Sequence, residues 1–149
     1  MGNSAYPSVT IYIIFHHSKK YNIINEDGKE MMKELFEKAL GISRPWFIDD
    51  LKFDVNSRRL DIHIDFEAGS KFEYVSEEEH ISGTYGVYDT VEKTWRHLNF
   101  FRHECYLNCR VPRVKPEDGK TRQIEAPWAG KSNGFTLLFE ALLMQLCCE

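Results

Sequence analysis

The sequence predicts a small α+β protein, with an antiparallel sheet of short strands, one N-terminal helix and an apolar C-terminal helix. Three observations lead there. Apolar residues recur at helical spacing between Lys29 and Leu40. Two alternating segments, Ile48–Val55 and Arg59–Phe66, meet at the turn Asn56-Ser57-Arg58. A second helical stripe of Phe135, Leu138, Phe139, Leu142, Leu143 and Leu146 comes near the C-terminus. The 149 residues are enough to bury a core.

Taken in order, residues 1–28 form an atypical N-terminal extension. Ser8 to Phe15 is β-branched and aromatic, and a polar stretch follows as far as Asp27-Gly28. This stretch is either an edge strand or a segment outside the domain proper. The helix over Lys29–Leu40 carries Met31, Met32, Leu35, Phe36, Ala39 and Leu40, which read as core. Asp27 is its expected N-cap, and Gly41 followed by Ile42 is a Schellman-type end, with Pro45 blocking continuation. In the hairpin, Leu60, Ile62, Ile64 and Phe66 share one face, and Asp61, His63 and Asp65 the other. Period-two alternation explains that Asp-His-Asp pattern as a solvated face rather than a metal or acid–base set. Ala68–Gly86 reads as loop, with three glycines and the run Glu77-Glu78-Glu79. A short strand within Val87–Trp95 is expected, then a long extended segment over Asn99–Lys115. There Leu107, Cys109 and Val111 share a face and Pro112 marks an edge or a kink. Thr121–Glu125 reads as a short strand, and Pro127, Gly130 and Gly134 as a linker. The expected organisation is an extension over 1–28, a domain over 29–130, and the start of a helical region over 131–149.

Composition narrows the function. No apolar run approaches the roughly 20 residues of a membrane helix, and no export signal opens the chain, so a cytoplasmic protein without a membrane partner is expected. Cys105, Cys109, Cys147 and Cys148 are then reduced thiols, the first pair packed on one strand face. No glycine-rich phosphate loop or nucleophile elbow is present, so neither enzyme activity nor a cofactor is expected. Net charge is −4, but it is unevenly spread. Residues 1–90 carry 10 Lys/Arg against 16 Asp/Glu, whereas residues 91–131 carry 9 against 5. A locally basic segment is what phosphate contact requires. Its candidates for DNA contact are Arg96, His97, Arg102, His103, Arg110, Arg113 and Arg122, since arginine forks fit phosphates and guanine edges. Trp95 and Trp128 read as packing residues.

Several phrases then fall in a specific order: Phe36-Glu37-Lys38-Ala39-Leu40-Gly41, Pro45-Trp46, Arg59 to Phe66, and Gly69-Ser70-Lys71-Phe72. Val87-Tyr88-Asp89-Thr90, Lys93 to Phe101, Val111-Pro112-Arg113-Val114, Ala126-Pro127-Trp128 and Gly134 to Glu140 follow. From about Lys33 to Leu146 this set resembles the N-terminal region of ISL-three-type bacterial insertion-sequence transposases. The resemblance implies a zinc-ribbon-like module, a helix-turn-helix region and a later RNase-H-like catalytic domain. It also implies cysteine knuckles after Phe72 and after Val114. Here Tyr74 and Glu77, then Lys115 and Asp118, stand in those places, so a degenerate module without metal is expected. The catalytic domain would lie beyond Glu149, so the expectation is a truncated, non-catalytic fragment that binds DNA at transposon ends. A second reading is a protein-interaction module. It would form a homodimer, or pair with and inhibit full-length transposase, through Phe135, Leu138, Leu142 and Leu146. A third is a non-functional remnant.

Overall fold

A computed structural model describes residues 26–100, 102–130, 134–137, 139, 140 and 144. The chain is α+β. Helix α1 spans Glu26–Leu40. It starts three residues before the expected Lys29, so Asp27 lies inside the helix and not at its N-cap. Met32 and Phe36, one turn apart, are buried, whereas Met31 and Leu35 are 49% and 38% exposed, a narrower apolar stripe than expected. The C-terminal end is as predicted. Gly41 adopts φ 68°, its N–H donates to the Lys38 carbonyl, and the Ile42 N–H donates to the Glu37 carbonyl at 2.9 Å. The Glu37 carboxylate accepts the Ile48 N–H at 2.9 Å and so ties α1 to the first strand.

Seven strands follow: β1 (Trp46–Asp54), β2 (Arg59–Phe66), β3 (Lys71–Ser76), β4 (Ile81–Gly86), β5 (Asp89–Phe100), β6 (His103–Val114) and β7 (Arg122–Gln123). Val55 falls in the β1–β2 turn rather than in the strand. The stretch expected as loop over 68–86 holds the β3–β4 hairpin, a separate two-stranded sheet. Of its side chains only Phe72 is buried, which is why apolar alternation is weak there. The large sheet runs β1-β2-β6-β5, with β7 also on β6. The β1–β2 and β5–β6 pairs are antiparallel hairpins, but β2 and β6 are parallel, with Arg59 opposite Glu104 and Ile64 opposite Cys109. The sheet is therefore mixed, and β5 and β6 are long rather than short, at 12 residues each.

Pro112 lies in the middle of the sheet, not at its edge. β2 pairs with β6 as far as Cys109, and β7 takes over the same side at Arg113. The Pro112 carbonyl points into the gap between them and accepts the Ile124 N–H at 3.0 Å. The nitrogen of a strand residue points the same way as its carbonyl, so the missing N–H of proline falls where no strand needs it.

One core joins the elements. Leu60, Ile62, Leu107 and Val111 are at most 1% exposed. Burial of side chains of this size contributes about 1.5–3 kcal/mol each. An aromatic cluster covers one end, with Trp128 edge-on to both Trp46 and Trp95 at 5.2 and 5.5 Å. Phe72 packs against Trp46 and Phe66 at 5.4 and 5.5 Å and so anchors the small hairpin. Ile124, Ala126 and Trp128 belong to this core, so the start of the expected linker is part of the domain.

Phe135 and Thr136 form β-bridges with Arg96 and Ala129, so Phe135 is extended where a helix was expected. Thr136 is the N-cap that begins the helical turn. Its Oγ1 accepts the Phe139 N–H at 3.3 Å and its carbonyl the Glu140 N–H at 3.0 Å. Leu138, Leu142, Leu143 and Leu146 lie outside the described residues, as do the possible edge strand near Ser8–Phe15 and Cys147 and Cys148. Among the described residues no helix is long and apolar enough to cross a membrane.

Candidate nucleic-acid interface

Asp61, His63 and Asp65 alternate with buried neighbours on β2 and so occupy the sheet face opposite the core. A hydrogen-bonded row crosses this face. Arg59 Nε donates to Asp61 at 2.8 Å, Asn108 Nδ2 donates to Asp61 at 3.0 Å, and Thr94 Oγ1 donates to Asn108 at 2.8 Å. Burial pushes the Asp61 carboxyl up, but the bonds from Arg59 and Asn108 outweigh it and hold it below its usual range. Tyr106 lies beneath two guanidiniums, Arg59 at 3.9 Å and Arg96 at 5.1 Å from its ring centre. Both cations and anions on this face are thus engaged with one another.

Most of the expected DNA-contacting residues are committed in the same way. Arg96 donates to Asn99 at 2.6 Å and to the Cys105 carbonyl at 3.2 Å. Arg110 pairs with Asp65 at 2.8 Å and lies over the Phe66 ring. Arg113 forms a two-pronged pair with Asp89. Arg122 holds both Glu79 and Asp118. His97 is largely buried, with Nδ1 2.8 Å from Thr136 Oγ1, and burial followed by neighbouring Arg96 keeps its imidazole below the usual range. Three of the basic residues counted along residues 91–131, Arg110, Arg113 and Arg122, are thus paired with Asp65, Asp89 and Glu79 from earlier in the chain.

Arg102 and His103 behave differently. Parallel pairing of β2 with β6 puts the β1–β2 turn and the β5–β6 turn at the same end of the sheet, and the Glu104 N–H donates to the Arg58 carbonyl at 2.8 Å. Arg58 sits on one tip and Arg102 on the other, both exposed. Neither makes an ion pair or side-chain hydrogen bond among the described residues. Between the two turns the His103 ring packs on the Phe53 ring at 4.2 Å. Its two nitrogens are shielded from water. Burial, then the charge of Arg58, hold it below the usual histidine range, opposed by the nearby Phe100 carbonyl. Arg58 was not among the residues expected from the sequence. It read as a turn residue, and only the doublet Arg58-Arg59 at a hairpin tip hinted at more.

Of the positions that the resemblance assigns to metal knuckles, Tyr74 and Asp118 are linked through an ion-paired cluster. Tyr74 donates to Glu79 at 2.9 Å, Arg122 bridges Glu79 and Asp118, and Tyr85 donates to Glu117 at 2.9 Å. Lys115 lies over the Tyr88 ring at 4.8 Å. A structural zinc site needs four thiolate, imidazole or carboxylate ligands converging on a tetrahedron. A lysine, a tyrosine hydroxyl and a carboxylate already held by arginine do not fit that need. Among the described residues no three His, Cys, Asp or Glu side chains converge on a metal position. Cys105 and Cys109 are buried free thiols, each pushed up to about 12 by burial. Comparison of the chain with family models, with curated proteins and with solved structures gives no match.

Proposed function

We propose that this chain is a non-catalytic DNA-binding module, equivalent to the N-terminal region of an insertion-sequence transposase, that contacts the DNA backbone through its two adjacent hairpin tips. The observation that carries this reading is the placement of Arg58 and Arg102 at one end of the sheet, both without an ion-pair partner among the described residues, while neighbouring arginines are bound to carboxylates. Unpaired guanidiniums are the groups free to neutralise phosphates. The ordered phrases shared with transposase N-terminal regions supply the identity of the nucleic acid and the expected setting at transposon ends. Such a surface predicts weak, salt-dependent binding, because two phosphate contacts give a slope of only about −2 in log affinity against log salt.

The test is fluorescence anisotropy with a 20-base-pair duplex across a salt series. Changing Arg58 and Arg102 together to alanine should weaken binding on every sequence and remove most of that slope. Arg113→Ala, which breaks an internal pair with Asp89, should leave the slope unchanged. A double variant that binds as the wild type does rules the two tips out as the contact surface.

A further inference from the structure

We propose that His97 and Thr136 form an acid-sensitive latch that holds the segment from Gly134 onward on the outer edge of β5, and that a proton on His97 Nδ1 opens it. β6 pairs with one side of β5, and residues 134–136 lie along the other. There the Arg96 N–H donates to the Gly134 carbonyl at 2.7 Å, and the Arg96 carbonyl accepts the Thr136 N–H at 3.0 Å. The Leu137 N–H donates to the Trp128 carbonyl at 3.0 Å and extends the attachment. A side-chain hydrogen bond joins the same two segments, with Thr136 Oγ1 2.8 Å from His97 Nδ1.

The threonine hydroxyl fixes which ring nitrogen carries the proton. Thr136 is 1% exposed, and its Oγ1 already accepts the Phe139 N–H at 3.3 Å. A hydroxyl has a single proton to give. Among the described residues its one acceptor is His97 Nδ1. Nδ1 therefore accepts, and the neutral imidazole keeps its proton on Nε2. A proton on Nδ1 turns that acceptor into a donor. The hydroxyl must then turn its own proton into a site closed to water and without an acceptor, which is unfavourable. Release of the segment removes the conflict, because imidazolium and hydroxyl both meet water. It also frees the Arg96 backbone on the β5 edge and uncovers Phe135 and Phe139, whose rings stack at 5.2 Å.

No surrounding group offsets the added charge. On β5, Arg96 is adjacent and opposes it, and Lys93 shares the strand face. On β6, Cys105 lies opposite as a neutral thiol, and His103 follows two positions away on the same face. Glu104 alternates to the other face, 3.9 Å from Arg96. In the C-terminal segment, the Glu140 carboxylate packs against Gly130. α1 approaches through Phe36 on Phe100, and its Glu37 accepts the Ile48 N–H while its Lys33 pairs with Glu30. Among the described residues no carboxylate forms an ion pair with the His97 ring. Burial, then Arg96, accordingly hold the latched imidazole below the usual histidine range. The contribution of the latch is complete above the released value near pH 6.5 and is lost as pH falls toward the latched one.

The experiment is amide hydrogen exchange on the full chain, corrected for intrinsic exchange chemistry. Between pH 7.5 and pH 5.5, where ordinary carboxylates stay ionised, protection of the Thr136 and Leu137 amides should fall about tenfold. At both pH values it should lie below the protection of the β2–β6 seam, the mark of local release. His97→Asn keeps an acceptor for the hydroxyl and cannot titrate, so it should hold the segment and lose the tenfold fall. Independently of whether that variant folds, nitrogen NMR of the wild-type imidazole at pH 7.5 should show a bare Nδ1 and a protonated Nε2. A proton on Nδ1 at that pH overturns the proposal. So does protection that is unchanged with pH in the wild type, that falls equally in His97→Asn, or that matches the seam at both pH values.

Discussion

Arg122 clasps Glu79 from 43 residues away, with its Nε 3.1 Å from each oxygen of the carboxylate. The same guanidinium reaches Asp118 at 2.7 Å, so one side chain on β7 fastens the tip of the β3–β4 hairpin to the turn after β6. Its hydrogen bond, followed by that of Tyr74, keeps the Glu79 carboxyl below the usual range. Asp118 is held low first by the Lys120 amide, against the opposing effect of burial. A two-stranded hairpin alone is marginal in water, so a fastening at its tip matters more for its order than for global stability.

Arg122→Ala is expected to raise amide exchange in residues 71–86 by up to about fivefold, the scale of an exposed ion pair, and to leave the five-stranded sheet unchanged. Acid should act at the same point. Because the folded pKa values of Glu79 and Asp118 are depressed, their contribution is present above the unfolded values near pH 4 and is lost as pH falls through the folded ones. Exchange measured at pH 6 and pH 3 checks both. Uniform loosening of the whole chain would count against a local clasp.

Cys105 and Cys109 should resist alkylation at pH 8 for as long as the protein stays folded. Both are 2% exposed, and their thiols are pushed up to about 12. With Cys147 and Cys148 changed to serine, labelling should follow the unfolding curve in urea rather than precede it. Fast native-state labelling would show that the centre of β6 opens locally.

Trp128 has an indole N–H that is buried without a partner among the described residues. Trp128→Phe removes that donor and keeps an aromatic ring between Trp46 and Trp95, so a change of no more than about 1–2 kcal/mol is expected. Trp128→Ala removes the ring itself and should cost about 3–5 kcal/mol. Urea denaturation of the two variants separates them. Equal losses would mean that an aromatic ring kept at this position does not offset the loss of the indole.

Gly41→Ala places a side chain at φ 68° with open space around it. The penalty is then one of backbone conformation alone, about 1 kcal/mol, read as a drop of several degrees in melting temperature. A neutral substitution would mean that the chain relaxes out of the left-handed cap.

Much of this fold was legible from side-chain period and end signals. The Leu60–Phe66 alternation located β2 and its buried face, and Gly41-Ile42 located the end of α1. The β3–β4 hairpin was not legible, because a strand with one buried residue and two glycines in its partner leaves little pattern. The parallel seam was hidden for another reason. Each hairpin encodes its own turn, but nothing local says which strands of two hairpins will touch. The site suffered most from this. Counting charge along residues 91–131 selected Arg110, Arg113 and Arg122, whose partners Asp65, Asp89 and Glu79 come from earlier in the chain, and it passed over Arg58, which only the parallel seam brings to the same end of the sheet as Arg102.

The β2–β6 seam also bears on the order in which the protein is expected to assemble. The β1–β2 and β5–β6 hairpins each close over a short turn, within microseconds for isolated hairpins. The seam joins residues such as Asp65 and Arg110, 45 positions apart, and carries the larger loop-closure entropy. Docking of preformed hairpins is then the expected slow event, and the two tips meet only once it is complete. If an anion bridges Arg58 and Arg102, as proposed, it recognises the docked pair alone, so it should leave the refolding rate nearly unchanged and slow unfolding in proportion to its occupancy.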